Sequence, residues 1–239
     1  MRYKKEIIGS FFWAGILIFW WYSLYGHIEG KITTAEEIYL YTCSVTGIQA
    51  PFLHGTFYLF IYLMFLSQFM KEWRIEGLIR QSRKKFFRKT IKILSGRTIL
   101  FISVYALVYT ICLFTISEKH VLKETAYFST LCFYAMALCV FYLIMGHVFW
   151  IISIYTGKKT RSCVFTIVIA VGLLTVRYLL HWPTPYSCLD IFDMVHYKGR
   201  ILLDVYVSRV SGNLILICLL EKIGERLFCK KDVWENEVL

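Results

Sequence analysis

An all-α integral membrane protein with six transmembrane helices is the fold class that this sequence predicts, on three observations. Apolar runs of bilayer-spanning length recur along the chain, 58% of its 239 residues are hydrophobic, and mean hydropathy is +0.57. That exceeds what the core of a soluble domain of this size needs. The basic residues cluster in alternate gaps between the apolar runs, the signature of membrane orientation. Finally, two gaps, residues 71–97 and 182–208, are too apolar for solvated loops and too polar to span, which adds an amphipathic interfacial helix and a re-entrant or interfacial segment. With only three prolines and 14 glycines there is little material for linkers, so residues 1–239 read as a single transmembrane domain.

Taken in order, Arg2, Lys4 and Lys5 form a basic cap before the first span, about 7–25, whose aromatics Trp20, Trp21 and Tyr22 suit a headgroup belt. That run is long enough to span and has no small-x-small site after it, so it is expected to stay in place rather than be cleaved as a signal peptide. Residues 26–50 are mixed in character, and Thr34 followed by Glu37 predicts a capping box opening a short helix. The second span covers about 51–70 and the third about 98–116. SEKHVLKE, 117–124, reads as a tight polar hairpin. The fourth run, about 126–155, would be roughly 45 Å long as one helix, so it should tilt, kink near Gly146 or project from the bilayer. TGKKTR, 156–161, is a second basic turn before the fifth span, about 162–180. Two prolines, Pro183 and Pro185, then break the helix beside Trp182 and Tyr186, and short apolar pieces carrying Asp190, Asp193 and Asp204 precede a last span near 210–222.

Orientation follows from counting. Lys and Arg number three at the N-terminus, ten in 71–97, three in 156–161 and four in the tail, twenty in all, against six on the opposite side. The positive-inside rule therefore places both termini and the 71–97 segment in the cytoplasm of a multi-pass plasma membrane protein. A net charge of +11 would suggest nucleic acid in a soluble chain. Here it is spent on orientation against anionic lipid, and no nucleic-acid partner is expected.

Candidate chemistry is sparse. Six scattered histidines and eight cysteines without a CxxC pair give no metal-ligand spacing, and no P-loop, G-x-S-x-G or H-E-x-x-H pattern occurs. No catalytic residue, metal or cofactor is expected on the chain itself. For a membrane enzyme processing peptides or lipids, the candidate groups are Cys139, His147, Asp190 and Asp193, but Cys139 and His147 sit about two helical turns apart. Cys43 and Cys188 fall in external loops, where a disulfide and two free thiols are both open. Arg177 is the one charge inside an apolar run: it either lines a pathway and meets a partner, or reaches outward past His181 and Trp182 to lipid phosphates.

The most informative stretch is KEWRIEGLIRQSRKKFFRKTIKILSGR, 71–97. As a helix from Arg74 it puts Ile75, Leu78, Ile79, Ser82 and Phe86 on one stripe and Arg80, Lys84, Lys85 and Arg88 on the other. Lipid attraction alone, as in a scaffold or sensor, explains the charge. A docking helix for a cytoplasmic partner also explains the length and the apolar stripe flanked by Trp73 and Glu76.

The layout of six spans, a basic amphipathic helix between spans two and three and a broken segment before the last span resembles the permease subunits of ABC exporters, in the compact type-2 class. The stretch IRQSRKKFFRKTIKIL, 79–94, is similar to that of small Gram-positive members. The layout covers most of the chain and the local motif sixteen residues. The resemblance implies a coupling helix at about 74–90, with Ile75, Glu76, Leu78, Ile79, Arg80, Ser82, Arg83, Lys84, Phe86 and Phe87 contacting a separate ATPase subunit. ATP and magnesium would be held by that partner. It also implies a second permease copy, in a homodimer, and an amphipathic or peptide-like cargo such as a toxin or bacteriocin.

Overall fold

A computed structural model describes residues 2–25, 32–34, 36–39, 49–69, 82–198 and 200–230. Among them the chain is almost entirely helical: α1 (Arg2–Tyr25), α2 (Pro51–Gly55), α3 (Phe57–Phe69), α4 (Arg83–Ile116), α5 (Lys119–Glu124), α6 (Tyr127–Thr156), α7 (Lys159–Leu180), a 3₁₀ turn (Pro185–Leu189), α8 (Ile191–Lys198) and α9 (Leu203–Lys230). Four of these, α4, α6, α7 and α9, are long and apolar enough to cross a membrane. Their outward faces carry bare apolar side chains such as Leu107, Val168, Leu179, Ile215 and Leu219. In water such a surface would drive association; in lipid it is the favoured one.

The helices are arranged around α6. Of its most apolar stretch 61% is buried, against 11% for α9, so α6 is the axis of the bundle and α9 a strut on its outside. It packs against α3, α4, α5, α7, α8, α9 and the 3₁₀ turn. Tyr134, Ala137, Leu138, Phe141, Met145 and Phe149 recur every three or four residues along it, all fully buried, so the contact stripe follows the helical repeat. α1 lies against α4, where Trp13 stacks on Phe101 with ring centroids 4.3 Å apart and its Nε1–H donates to the Phe101 carbonyl at 3.2 Å.

The core is rich in tyrosine, and four of the hydroxyls bond to groups on other parts of the bundle. Tyr62 pairs with Thr98 at 2.7 Å, Tyr142 with Nδ1 of His54 at 3.0 Å, and Tyr134 and Tyr186 donate to the carbonyls of Gln49 and Ala170 at 3.2 and 3.1 Å. A phenol ring therefore supplies apolar area along its length and a tether at its tip.

Several elements differ from their expected form. The third span does not begin at Thr98. Its helix starts at Arg83 and continues for 34 residues, about 51 Å, because 83–97 is built of good helix formers with no proline and a single glycine, Gly96. Half of the basic segment and the span are thus one rigid rod, and Arg97 is buried within it. The polar hairpin expected at 117–124 is largely α5, whose Val121 and Leu122 are buried while Lys119 and Lys123 are exposed. The fourth run is one unbroken helix through Gly146. That glycine serves close packing: a Cβ there would lie 2.7 Å from the Tyr62 hydroxyl and 3.3 Å from Leu94. Gly157, with φ 62°, ends the helix in the left-handed conformation, its N–H donating to the Ser153 carbonyl. The second span is divided at Thr56 into α2 and α3. The last helix begins at Leu203, seven residues earlier than Val210, with Asp204 in the first turn where the helix dipole favours an acid.

Other expectations match. Glu37 accepts from the N–H groups of Thr33 and Thr34 at 3.0 and 3.3 Å and Thr34 Oγ1 accepts from the Glu37 N–H at 3.3 Å, which is the capping box read from Thr34 and Glu37. Those donors hold the Glu37 carboxyl below its ordinary pKa. Residue 32 is joined to the start of α5 by a single parallel bridge between Ile32 and Ser117. Cys188 is a free, buried thiol whose Sγ lies 3.0 Å from the Pro185 carbonyl, and burial pushes it up to about 12; Cys43 lies outside the described residues.

Among the described glycines the closest approach is at Gly55, where an added Cβ would run into the Tyr186 hydroxyl. Tyr186 is fully buried and tied to Ala170, so it cannot swing aside. Gly55→Ala should lower stability by about 1–3 kcal/mol, the usual cost of overpacking. Adding Tyr186→Phe should recover part of the loss, read as a non-additive pair of thermal midpoints in detergent.

Candidate functional site

Two clusters of charged groups lie at the two ends of α9. At one end the prolines that break the chain after α7 create a 3₁₀ turn, opened by reciprocal Thr184–Ser187 bonds, in which the Ser187 N–H donates to the Thr184 carbonyl at 2.9 Å and the Thr184 N–H to Ser187 Oγ at 3.2 Å. His181, in the left-handed conformation with φ 53°, closes α7 and turns the chain into this segment. The turn delivers Asp190 between two arginines from different helices. Arg177 of α7 donates through Nη2 to Asp190 Oδ1 and through Nη1 to the Tyr186 carbonyl at 2.9 Å. Arg209 of α9 donates through Nη1 to Asp190 Oδ2 at 3.0 Å and to the Ser187 carbonyl at 2.8 Å. Asn213, one turn further along α9, donates to the Pro185 carbonyl at 3.2 Å.

One carboxylate shared by two guanidiniums leaves the trio with one excess positive charge. The Arg177 and Asp190 side chains are 17% and 18% exposed and Arg209 is 34% exposed, so the first pair is mostly withdrawn from water while Arg209 keeps an open side. Desolvation largely cancels the Coulombic gain of such a pair, and the surplus lies in the backbone carbonyls that take up the remaining donors. The cluster therefore fixes geometry more than it adds stability. Asp193, half-buried on α8, is held above the usual carboxylate range by burial first and by the neighbouring Asp190 next, with Arg177 and His196 acting the other way.

At the other end, the start of α4 is docked on the end of α9. Arg83 Nη1 donates to the Cys229 carbonyl at 2.8 Å, which caps the last turn of α9 where the dipole favours a cation. Lys84 lies 3.6 Å from Glu225. Phe86 stacks on Phe228 with centroids 5.8 Å apart, Phe87 meets Trp150 edge-on at 4.9 Å, and Phe87 is 1% exposed. A half-exposed ion pair is worth roughly 0–1 kcal/mol, whereas burying one phenylalanine contributes about 2–3 kcal/mol, so the aromatic cluster makes this joint. Gly224 admits Trp150 into it, a Cβ there standing 2.9 Å from the indole.

Of the residues singled out in the sequence, Ile75, Glu76, Leu78, Ile79 and Arg80 lie outside the described residues. Ser82 precedes α4, and Arg83, Lys84, Phe86 and Phe87 face α9. Lys85, Arg88 and Lys89 are exposed on the opposite surface. Arg177 meets a protein partner, Asp190, rather than standing alone. The groups considered for catalysis do not converge: His147 is buried with its Nδ1 on the Leu143 carbonyl of its own helix, and Asp190 is held by the arginines. Among the described residues no three His, Cys, Asp or Glu side chains are placed to hold a metal. Sequence reasoning missed Arg209 and Phe228, the α9 members of the two joints. The signal for Arg209 was an arginine immediately before the last apolar run, which falls inside the helix once that helix is extended backwards to Leu203.

Asp190→Ala should destabilise by about 3–5 kcal/mol, because it leaves two partly buried arginines facing each other. Asp193 behaves differently. The folded chain keeps the Asp193 proton to a higher pH than the unfolded chain, so this acid favours the fold at low pH and that contribution is lost as pH rises through the folded pKa. Asp193→Asn should raise the thermal midpoint at neutral pH and flatten its fall between acid and neutral pH; an unchanged pH profile would contradict the assignment. Comparison with protein-family models, with curated proteins and with solved structures finds no match to this chain.

Proposed function

We propose that this chain is the membrane-spanning permease subunit of an ABC exporter. It would move an amphipathic or peptide-like cargo, such as a toxin, bacteriocin or antimicrobial peptide, across the bacterial cell membrane, with ATP hydrolysed on separate cytoplasmic ATPase chains. Six spans, both termini inside and a pair of permease copies belong to this reading.

The observation that supports it is the clasping of α9 at both ends. The root of the basic segment, Arg83 to Phe87, grips the cytoplasmic end of α9 through Phe228, Glu225 and the Cys229 carbonyl. The far end of the same helix holds the broken segment through Arg209 and Asn213. Because α4 is one rod from Arg83 to Ile116, a push delivered to residues 74–82 cannot be absorbed at Thr98 and must shift α4 and α9 together. α9, 28 residues and about 42 Å long, then carries the displacement to the segment at 182–200 that would cap the exit path. The permease makes and breaks no covalent bond; its residues convert a rigid-body shift into an opening on the far side.

The test uses positions that spare the α4–α9 joint. With a Walker A ATPase encoded beside this gene, the wild-type chain should co-purify and stimulate ATP hydrolysis. Charge reversal at Arg80, Lys85 and Arg88 should abolish both while leaving the thermal midpoint of the chain unchanged. Retained assembly and full stimulation would sink the proposal. Phe228→Ala should separate the two readouts: the ATPase still binds, yet transport falls, because the lever is detached; the lost burial costs about 3–5 kcal/mol.

A further inference from the structure

Between the 3₁₀ turn and α9 lies a cavity of about 330 Å³, lined by Pro183, Pro185, Ser187, Ser208, Arg209 and Gly212 with Asn213 and Leu216 at its floor. Every hydrogen bond that Arg209 makes among the described residues runs through Nη1. Arg209 lines this half-open space, and neither bond uses its Nη2 or Nε. Ser187 Oγ accepts from the Thr184 N–H at 3.2 Å and retains its own proton to donate, and Ser208 is exposed on the same wall. The trio of Arg177, Asp190 and Arg209 carries one unbalanced positive charge, and Asp193, which feels Asp190, Arg177 and His196, is not among the residues that line the cavity. At Gly212 nothing lies within 4 Å of where a Cβ would be, so the mouth is open along α9. Further along α9 are the exposed apolar side chains Ile215 and Leu219, and Trp182, 64% exposed, directly precedes the lining Pro183.

We propose that this cavity binds the phosphodiester headgroup of an anionic phospholipid, with an acyl chain lying along the exposed face of α9. A guanidinium edge with two unused N–H donors and flanking serine hydroxyls matches the oxygens of a phosphate. The proline and leucine walls suit the glycerol carbons, and the apolar stripe leading away calls for a tail that free phosphate lacks. An exposed tryptophan one residue before the lining Pro183 suits the headgroup layer. The bound lipid would neutralise the surplus charge left by Asp190 and brace the broken segment against α9. A polytopic protein of any function could carry such a site, so the inference stands apart from the permease reading.

The experiment compares the purified full chain in phosphatidylcholine nanodiscs with and without phosphatidylglycerol, by thermal midpoint and by native mass spectrometry of retained lipid. Phosphatidylglycerol should raise the midpoint and be retained, and Arg209→Gln should lower retention roughly tenfold, as expected on losing a charge-assisted hydrogen-bond pair. Gly212→Leu fills the mouth without touching the ion pairs, so it should abolish retention with the midpoint in phosphatidylcholine unchanged. Inorganic phosphate added to phosphatidylcholine discs should have no effect. Stabilisation by inorganic phosphate would overturn the lipid assignment in favour of a free-anion site. Equal retention by wild type and Gly212→Leu, or equal retention of an uncharged glycolipid, would overturn the site itself.

Discussion

The carboxylate of Asp190 ties three pieces of chain together: the end of α7 through Arg177, the start of α9 through Arg209, and the 3₁₀ turn that precedes it. Without it, two arginines would face each other at a place where the surroundings are mostly apolar, and each would have to swing out to water or phosphate. The pairing gains little net energy, because withdrawing charges from water costs nearly what their attraction returns. Its effect is on geometry. With Asp190 in place, the prolines at 183 and 185 produce one defined turn rather than a set of alternatives, and α9 is forced to start at Leu203 so that Arg209 comes within reach.

The rest of the bundle obeys the same logic in neutral form. Where water is absent, a polar atom has to find its partner inside, and the cheapest way to place one in a hydrophobic core is at the tip of an aromatic ring. Tyr62, Tyr134, Tyr142 and Tyr186 each reach a hydroxyl, an imidazole or a backbone carbonyl on another part of the chain. Such contacts specify register as well as adhesion: a helix that slid by one residue would bury the same rings but strand their hydroxyls. The close approaches at Gly55 and Gly146 belong to the same scheme, since each glycine leaves room for a phenol tip.

How much of this was legible beforehand depended on whether the signal was local. The helical class and the apolar runs could be read directly, because hydropathy and length are properties of contiguous residues. The Thr34–Glu37 box was visible for the same reason. Breaks and boundaries were less so. A charge cluster looks like a loop, yet lysine and arginine are good helix formers, and α4 continues straight through Lys84, Lys85 and Arg88. Gly146 looked like a weak point and is instead a contact, which only the position of Tyr62 reveals. At the site, Arg177 and Asp190 were each noticed separately, but their pairing spans a turn whose path no local pattern encodes. Phe228 gave no sign, since a lone aromatic in a charged tail has meaning only once Phe86, Phe87 and Trp150 surround it.

α9 is also synthesised after everything it grips. Asp190, Ser187 and Pro185 are all in place before Arg209 and Asn213 emerge, and the aromatic face of α4 and α6 waits longer still for Phe228. Until then the broken segment is held on α7 by Arg177 and by the Tyr186 hydroxyl on the Ala170 carbonyl, and the root of α4 has one side uncovered. The order of assembly is therefore written into the position of the helix: the bundle is closed from outside, late, by a strut that snaps onto two prepared ends. A chain halted before residue 209 would hold most of its core and neither of its clasps, which makes the interval before α9 arrives the stage at which quality control can tell finished molecules from unfinished ones.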